Sequence, residues 1–209
     1  GQGEEEDEEE AATQKDDDHS TVVAAAAFGE DWSLAYHPTL NLLFVCNSSA
    51  NRGQVLRVDA KNGVGTEICS LRHVDQAQQV EFCEPTFVAL NVSADEVYVV
   101  DLQVAPPLSN LPRVTVFSTL SFKWLCSFLL PAPFGAIHVA SFAVHPASGQ
   151  LVVADSHLSR VVVLDPRDRT RFFAFHDWRI EPTALCCAPL TRAVFVADRF
   201  AEQVVWFHL

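Results

Sequence analysis

The feature that most constrains this chain is a repeat in the spacing of a few residues. Four apolar, β-branched runs end in a polar residue, Asn47, Asp101, Asp155 and Asp198, at intervals of 54, 54 and 43 residues. Pro38, Val92, Pro146 and Pro189 keep the same three intervals. Two registers that agree over four units imply one structural unit copied along the chain. The clearest copy, FAVHPASGQLVVADSHLSRVVVLD at 142–165, reads strand, turn, strand ending in Asp155, loop, strand ending in Asp165. The same grammar covers 33–59, 87–119 with a Pro-rich insertion (LQVAPPLSNLP, 102–112), and 184–209.

Each of the first three units has room for a fourth strand, at 66–71, 123–130 and 171–176, whereas the last stops after three at Leu209. No segment shows the 3.6-residue period of an amphipathic helix, and Pro, Gly, Asn and Asp punctuate short β-branched and aromatic runs. That is the pattern of an all-β chain. Four-stranded units of roughly 40–50 residues are the size of β-propeller blades. The expectation is therefore an all-β fold of about four blades, near 30–72, 84–130, 138–177 and 181–209. Hydrophobic residues make up 49% of the chain, enough for one substantial core.

The third and fourth units carry a family resemblance. ADSHLSRVVVLD (154–165) resembles the core of an NHL repeat, in which an Asp ends one strand, a polar loop follows and an Arg opens the next. ADRFAEQVVWFHL (197–209) is similar, with Gln203 in place of that Arg; CNSSANRGQVLRVD (46–59) is a looser match, and the second unit departs most. NHL propellers usually have six blades, so the resemblance implies a small closed ring or part of a larger one. An open propeller exposes sheet edges, an aggregation hazard. The segment TVVAAAAF (21–28) is a candidate to supply the outer strand the last unit lacks, closing the ring.

Charge is unevenly placed. Residues 1–20 hold ten acids against Lys15, while 21–209 hold seventeen acids and thirteen bases. Seven consecutive carboxylates repel one another and bury nothing, so 1–20 read as a disordered, solvating tail with the option of serving as an arm for a basic partner. The chain starts at Gly1 and contains no Met, which reads as a piece of a longer product. No leader of signal-peptide type is visible, and no apolar run approaches the roughly 20 residues a membrane span needs, so membrane insertion is not expected. Six cysteines, Cys46, Cys69, Cys83, Cys126, Cys186 and Cys187, form no CxxC, and most lie in apolar runs. They read as reduced core residues, with the vicinal Cys186 and Cys187 on opposite sides of one strand and one of the two in the blade core, which favours an intracellular, cytoplasmic location.

The register also generates the candidate sites. Glu30, Glu84, His138 and Glu181 precede the innermost strands; carboxylates and an imidazole converging on a channel mouth would suit a divalent cation able to activate water. In outline this resembles the metal-dependent lactonase-type propellers, which would imply a hydrolase or lyase. At the opposite mouth the register aligns His37, Asn91, His145 and Ala188, a second polar ring whose simpler role is to fix turns. Asn47, Asp101, Asp155 and Asp198 read as structural, because a carboxylate ending a strand can accept amides of the next loop. No G-x-S-x-G, P-loop or dinucleotide fingerprint is present. Some NHL propellers bind RNA, but the basic cluster Arg160, Arg167, Arg169, Arg171 and Arg179 is interrupted by Asp165, Asp168 and Asp177 and reads as surface ion pairs, so nucleic acid is not the expected partner. The leading expectation is a non-catalytic scaffold without a cofactor, binding protein through a propeller face, its rim or the 102–112 insertion. The alternative is the metal-dependent enzyme with one divalent ion.

Overall fold

In the computed structural model the described residues run from 32 to 209, without 48–53, 60, 62–64, 71–73, 76–77, 80–81, 83, 103–110, 131–137, 169–170 and 177–178. The acidic segment, Glu30 and the 21–28 segment lie outside them, as does most of the Pro-rich insertion.

The described chain forms successive antiparallel meanders. Blade 1 comprises β1 (Trp32–His37), β2 (Leu42–Asn47), β3 (Gln54–Asp59) and β4 (Gly65–Ser70). A minimal hairpin, β5 (Val74–Asp75) with β6 (Gln78–Gln79), leads to blade 2: β7 (Pro85–Asn91), β8 (Glu96–Asp101), β9 (Arg113–Ser118) and β10 (Trp124–Leu129). Blade 3 is β11 (Val139–Val144), β12 (Leu151–Asp155), β13 (Arg160–Leu164) and β14 (Phe172–His176). Blade 4 has three strands, β15 (Pro182–Cys187), β16 (Ala193–Asp198) and β17 (Gln203–His208). Among the described residues no helix is long and apolar enough to cross a membrane.

The turn joining the first two strands of each blade repeats in detail. Asn41, Asp95, Gly149 and Arg192 all take positive φ, at the 54, 54, 43 spacing of the sequence register. In three of these turns a Pro follows the strand and presets φ for the turn. The left-handed residue then reverses the chain, a conformation that costs any side chain but glycine some steric strain. A second recurrence sits at the other end of the innermost strands. The ladder slips by one residue at Thr86, Ala140 and Thr183, so that the strand-ending aspartate faces Pro85, Val139 and Pro182. Such bulges sharpen local twist.

The blades stack through their faces. Because side chains alternate across a strand, each sheet has one face toward the previous blade and one toward the next, here termed backward and forward. Phe44 and Cys46 on the forward face of blade 1 meet Val88, Val97, Val99 and Phe117 of blade 2. The forward residues Tyr98, Val100, Val114 and Val116 of blade 2 meet Phe142, Val144 and Val153 of blade 3. Val152, Val161 and Val163 in turn meet Leu185, Val194, Val196, Val205 and Phe207 of blade 4. The strands of blade 3 nearest the middle are covered on both faces, which is why LVVAD and RVVVL are buried throughout. Innermost strands lie side by side in the order β1, β7, β11, β15, and β15 does not pack comparably on β1. The four blades thus form an arc.

Candidate functional site

The strand-ending aspartates are clamps. In Asp101, Asp155 and Asp198 one carboxylate oxygen accepts the backbone amide of Glu84 (2.7 Å), His138 (3.2 Å) and Glu181 (3.0 Å), always 17 residues earlier. The amides of Leu102 and Arg199 answer by donating to the carbonyls of Glu84 and Glu181. In blades 3 and 4 the same Oδ1 also takes amides from the following loop, Leu158, and Phe200 with Ala201. The second oxygen takes an arginine: Arg160 Nε reaches Asp155 Oδ2 at 2.8 Å with both side chains fully buried. Arg113 makes the same 2.8 Å contact to Asp101. Blade 2 therefore keeps the Asp–Arg pair although the 102–112 insertion separates its members by 12 residues instead of 5. In blade 4 Gln203 stands beside Asp198, and the backbone amide of Glu181, with further help from Ala201, Phe200 and Gln203, holds the Asp198 carboxyl below its ordinary range.

The residues of the second candidate ring are buried between blades, where they shape the turns. Nδ1 of His37 accepts the Leu40 amide at 3.2 Å, and Nδ1 of His145 accepts the Ser148 amide at 3.3 Å. Asn91 accepts Ser93 Oγ at 2.9 Å. Asn91 and His145 also reach toward the left-handed residue of the next blade's turn. A Cβ on Gly149 would stand 3.0 Å from Asn91 Nδ2. The Arg192 carbonyl likewise lies beside the His145 imidazole, whose pKa burial lowers; that carbonyl partly offsets the shift and the Arg192 charge adds to it. The fourth aligned position, Ala188, is replaced by its backbone, which bonds across the turn to Ala193.

The members of the first candidate ring that are described, Glu84, His138 and Glu181, are placed by the clamps through their amides. Their side chains go separate ways: His138 Nδ1 meets Ser156 Oγ at 3.1 Å, and Glu181 lies 3.6 Å from Arg199 on the surface. Glu30 lies outside the described residues. Among the described residues no three His, Cys, Asp or Glu side chains gather as a metal site.

One contact was not legible from the repeat. Ser148 Oγ lies 2.8 Å from His145 Nδ1, the separation of a serine activated by a base. The surroundings assign it to the turn: the hydroxyl donates to Gln150 Oε1 at 2.9 Å, and Nδ1 already serves the Ser148 amide. His37 makes the corresponding amide contact at Leu40, where there is no hydroxyl. Ser148 also borders a polar groove of about 270 Å³ between blades 2 and 3, with Asn91, Glu96, Tyr98, Asp165 and Arg167. There burial and the Glu96 carboxylate, 2.5 Å from its hydroxyl, hold Tyr98 protonated far above its ordinary range.

One reading from sequence needs correction. Arg160 belongs to no surface cluster: it is among the most deeply buried side chains of the protein, because Asp155 requires it there. Of its companions, Arg171 pairs with Asp168 at 3.0 Å, and Arg169 lies outside the described residues. Of the vicinal cysteines Cys186 is exposed, in keeping with the strand alternation that sets the pair on opposite faces. Cys187 and Cys126 are half-buried and Cys46 is buried. Burial, and secondarily the neighbouring Cys186, pushes the Cys187 thiol up to about 12. Burial and the Asp101 charge raise Cys46 further still. Neither is a ready nucleophile.

Solved structures share this arrangement. The β-propeller domain of Cps50 (Swd1) from Myceliophteria thermophila superposes with a TM-score of 0.59 at 12% identity, covering 85% of this chain and 53% of its own. This chain is a β-propeller. The WD40 repeats of RRP9 match with a TM-score of 0.53 at 14% identity, over 86% of this chain and 52% of theirs. Hydrazine synthase of Kuenenia stuttgartiensis matches at 0.58 and 14%, over 85% and 46%. Identities this low establish the propeller fold alone. The propeller arc spans about half the length of the structures it matches. No family model matches the chain, and no curated protein matches it by sequence.

Proposed function

We propose that the chain is a non-catalytic scaffold that binds protein through the rim of its propeller. The observation that carries this reading is the rim of blade 2. There Leu120, Trp124, Leu125 and Leu129 are all exposed, on and beside the outer strand β10. Trp124 donates its indole N–H to Ser127 Oγ at 3.0 Å, and that hydroxyl is within 3.1 Å of Thr115 Oγ1. The ring is thus held in place with its polar atom satisfied, leaving an apolar surface. Anchored aromatic and aliphatic side chains of this kind dominate protein–protein recognition. The conspicuous buried polar side chains work otherwise: Asp101, Asp155, Asp198, Arg160, His37 and His145 hold strands and turns together. The Asp–loop–Arg arrangement of blade 3 further supports an NHL-type repeat.

The test replaces Leu125 and Leu129 with Glu and compares capture from cell extract with the unaltered chain, followed by rebinding with purified components. A protein that binds the unaltered chain directly and is lost from the variant is the expected result. Equal recovery of every protein by both would sink the rim reading. A stoichiometric divalent metal found by elemental analysis, and lost in Glu84→Ala or Glu181→Ala, would instead favour the hydrolase or lyase.

A further inference from the structure

The groove between blades 2 and 3 is lined by polar groups that neither the clamps nor the blade 2 rim employ. One wall is the β7–β8 hairpin, with Asn91, Glu96 and Tyr98; the other, from blade 3, includes Gly149, Asp165 and Arg167. Asn91 and Tyr98 are 5% and 2% exposed, so packing fixes the first wall. Tyr98 donates its hydroxyl to Glu96 Oε2 at 2.5 Å, which holds that carboxylate in place. Its other oxygen, Oε1, has no partner among the described residues. Asp165 is set in a similar way, because Oδ1 accepts the backbone amides of Arg167 at 2.9 Å and Asp168 at 3.4 Å. Its Oδ2 likewise has no partner among the described residues. The exposed Arg167 guanidinium makes no ion pair among the described residues, although two carboxylates line the same groove. Gly149 places no side chain over the Asn91 amide, where a Cβ would come within 3.0 Å of Nδ2.

These groups select the ligand. The groove volume of about 270 Å³ lies below the roughly 300–1,000 Å³ of pockets for drug-sized molecules, so the occupant is small. One guanidinium beside two carboxylates disfavours a phosphate, and the buried Tyr98 ring offers no face on which a base could stack. Among the described residues the two carboxylates have no third ligand side chain for a metal ion. A plain cation would satisfy Glu96 and Asp165 but would leave Arg167 beside a like charge. A molecule carrying an ammonium next to a carboxylate satisfies all of them. An ammonium has three donors for carboxylate oxygens, and a guanidinium grips a carboxylate through paired N–H groups. We propose that this groove binds a free α-amino acid, its ammonium held by Glu96 and Asp165 and its carboxylate by Arg167. The ligand touches both walls and so ties blades 2 and 3 together. The site lies apart from the blade 2 rim and does not rest on the scaffold reading.

The experiment titrates the full chain by calorimetry with glycine, alanine, lysine, glutamate and phenylalanine. Ethylamine and acetate serve as probes of the two halves of the ligand. At least one amino acid is expected to bind, with each half weaker by about tenfold or more. Arg167→Gln and Glu96→Gln are each expected to weaken that amino acid by about tenfold or more. Arg167 is exposed, so its replacement leaves the fold intact, which circular dichroism checks. Leu125→Glu, on the blade 2 rim, is expected to bind as the unaltered chain does. Failure of every amino acid to bind would overturn the proposal. Ethylamine binding as tightly as the best amino acid would mark a plain cation site and overturn it too. The same holds for an Arg167→Gln chain of unchanged affinity, or for a loss shared by Leu125→Glu.

Discussion

Arg160 shows how much of this protein's stability sits in single polar contacts. A guanidinium with no exposure is tolerable only because Asp155 supplies a full opposite charge at 2.8 Å. Removing one partner of such a buried pair typically costs about 3–5 kcal/mol, since the other charge is left in low dielectric. Asp155→Ala is therefore expected to lower the unfolding free energy measured by urea titration by about that much. Arg113→Met in blade 2 is expected to cost less, because that arginine is partly open to water. His145 makes a different prediction. Burial holds its imidazole neutral in the native state, whereas in the unfolded chain it takes up a proton below about pH 6.5. Its contribution is complete above that range and is lost as pH falls, so stability should decline between pH 7 and pH 5. His145→Asn, which installs the residue found at this position in blade 2, is expected to flatten that decline in urea titrations across the window. The Asp198 carboxyl, held low by amides, titrates below it.

Among the elements, the hairpin turns are where sequence and structure agree in most detail. The 54, 54, 43 register placed four turns, and all four carry a left-handed residue at one position. Only Gly149 does so without strain, and it is also the one whose missing Cβ leaves room for Asn91 Nδ2 at 3.0 Å. Gly149→Ala is expected to destabilise by about 1–2 kcal/mol in thermal or urea unfolding, from positive φ and the crowded amide together. The strand-ending aspartates were legible as structural for a related reason: a short carboxylate has few uses at the end of every second strand. What pattern could not supply was the side-chain partner across a variable gap. Arg160 follows Asp155 closely and matches a known motif, whereas Arg113 is hidden behind the insertion and was read as a departure. Nor does a register tell inside from outside. Arg160 was grouped with surface arginines, because that judgement depends on which neighbouring blade covers a face.

For the whole molecule, the repeat identified the propeller, while low identity to the solved structures leaves its type to the residues themselves. The candidate metal ring illustrates the limit. Glu84, His138 and Glu181 share one position through their backbone amides, which the clamps fix, while the side chains of His138 and Glu181 meet different partners. One consequence of the clamp concerns how the chain is made. Each aspartate reaches back just 17 residues, to the entrance of its own innermost strand. A chain leaving the ribosome can therefore fasten the inner hairpin of one blade while the next blade is still being translated.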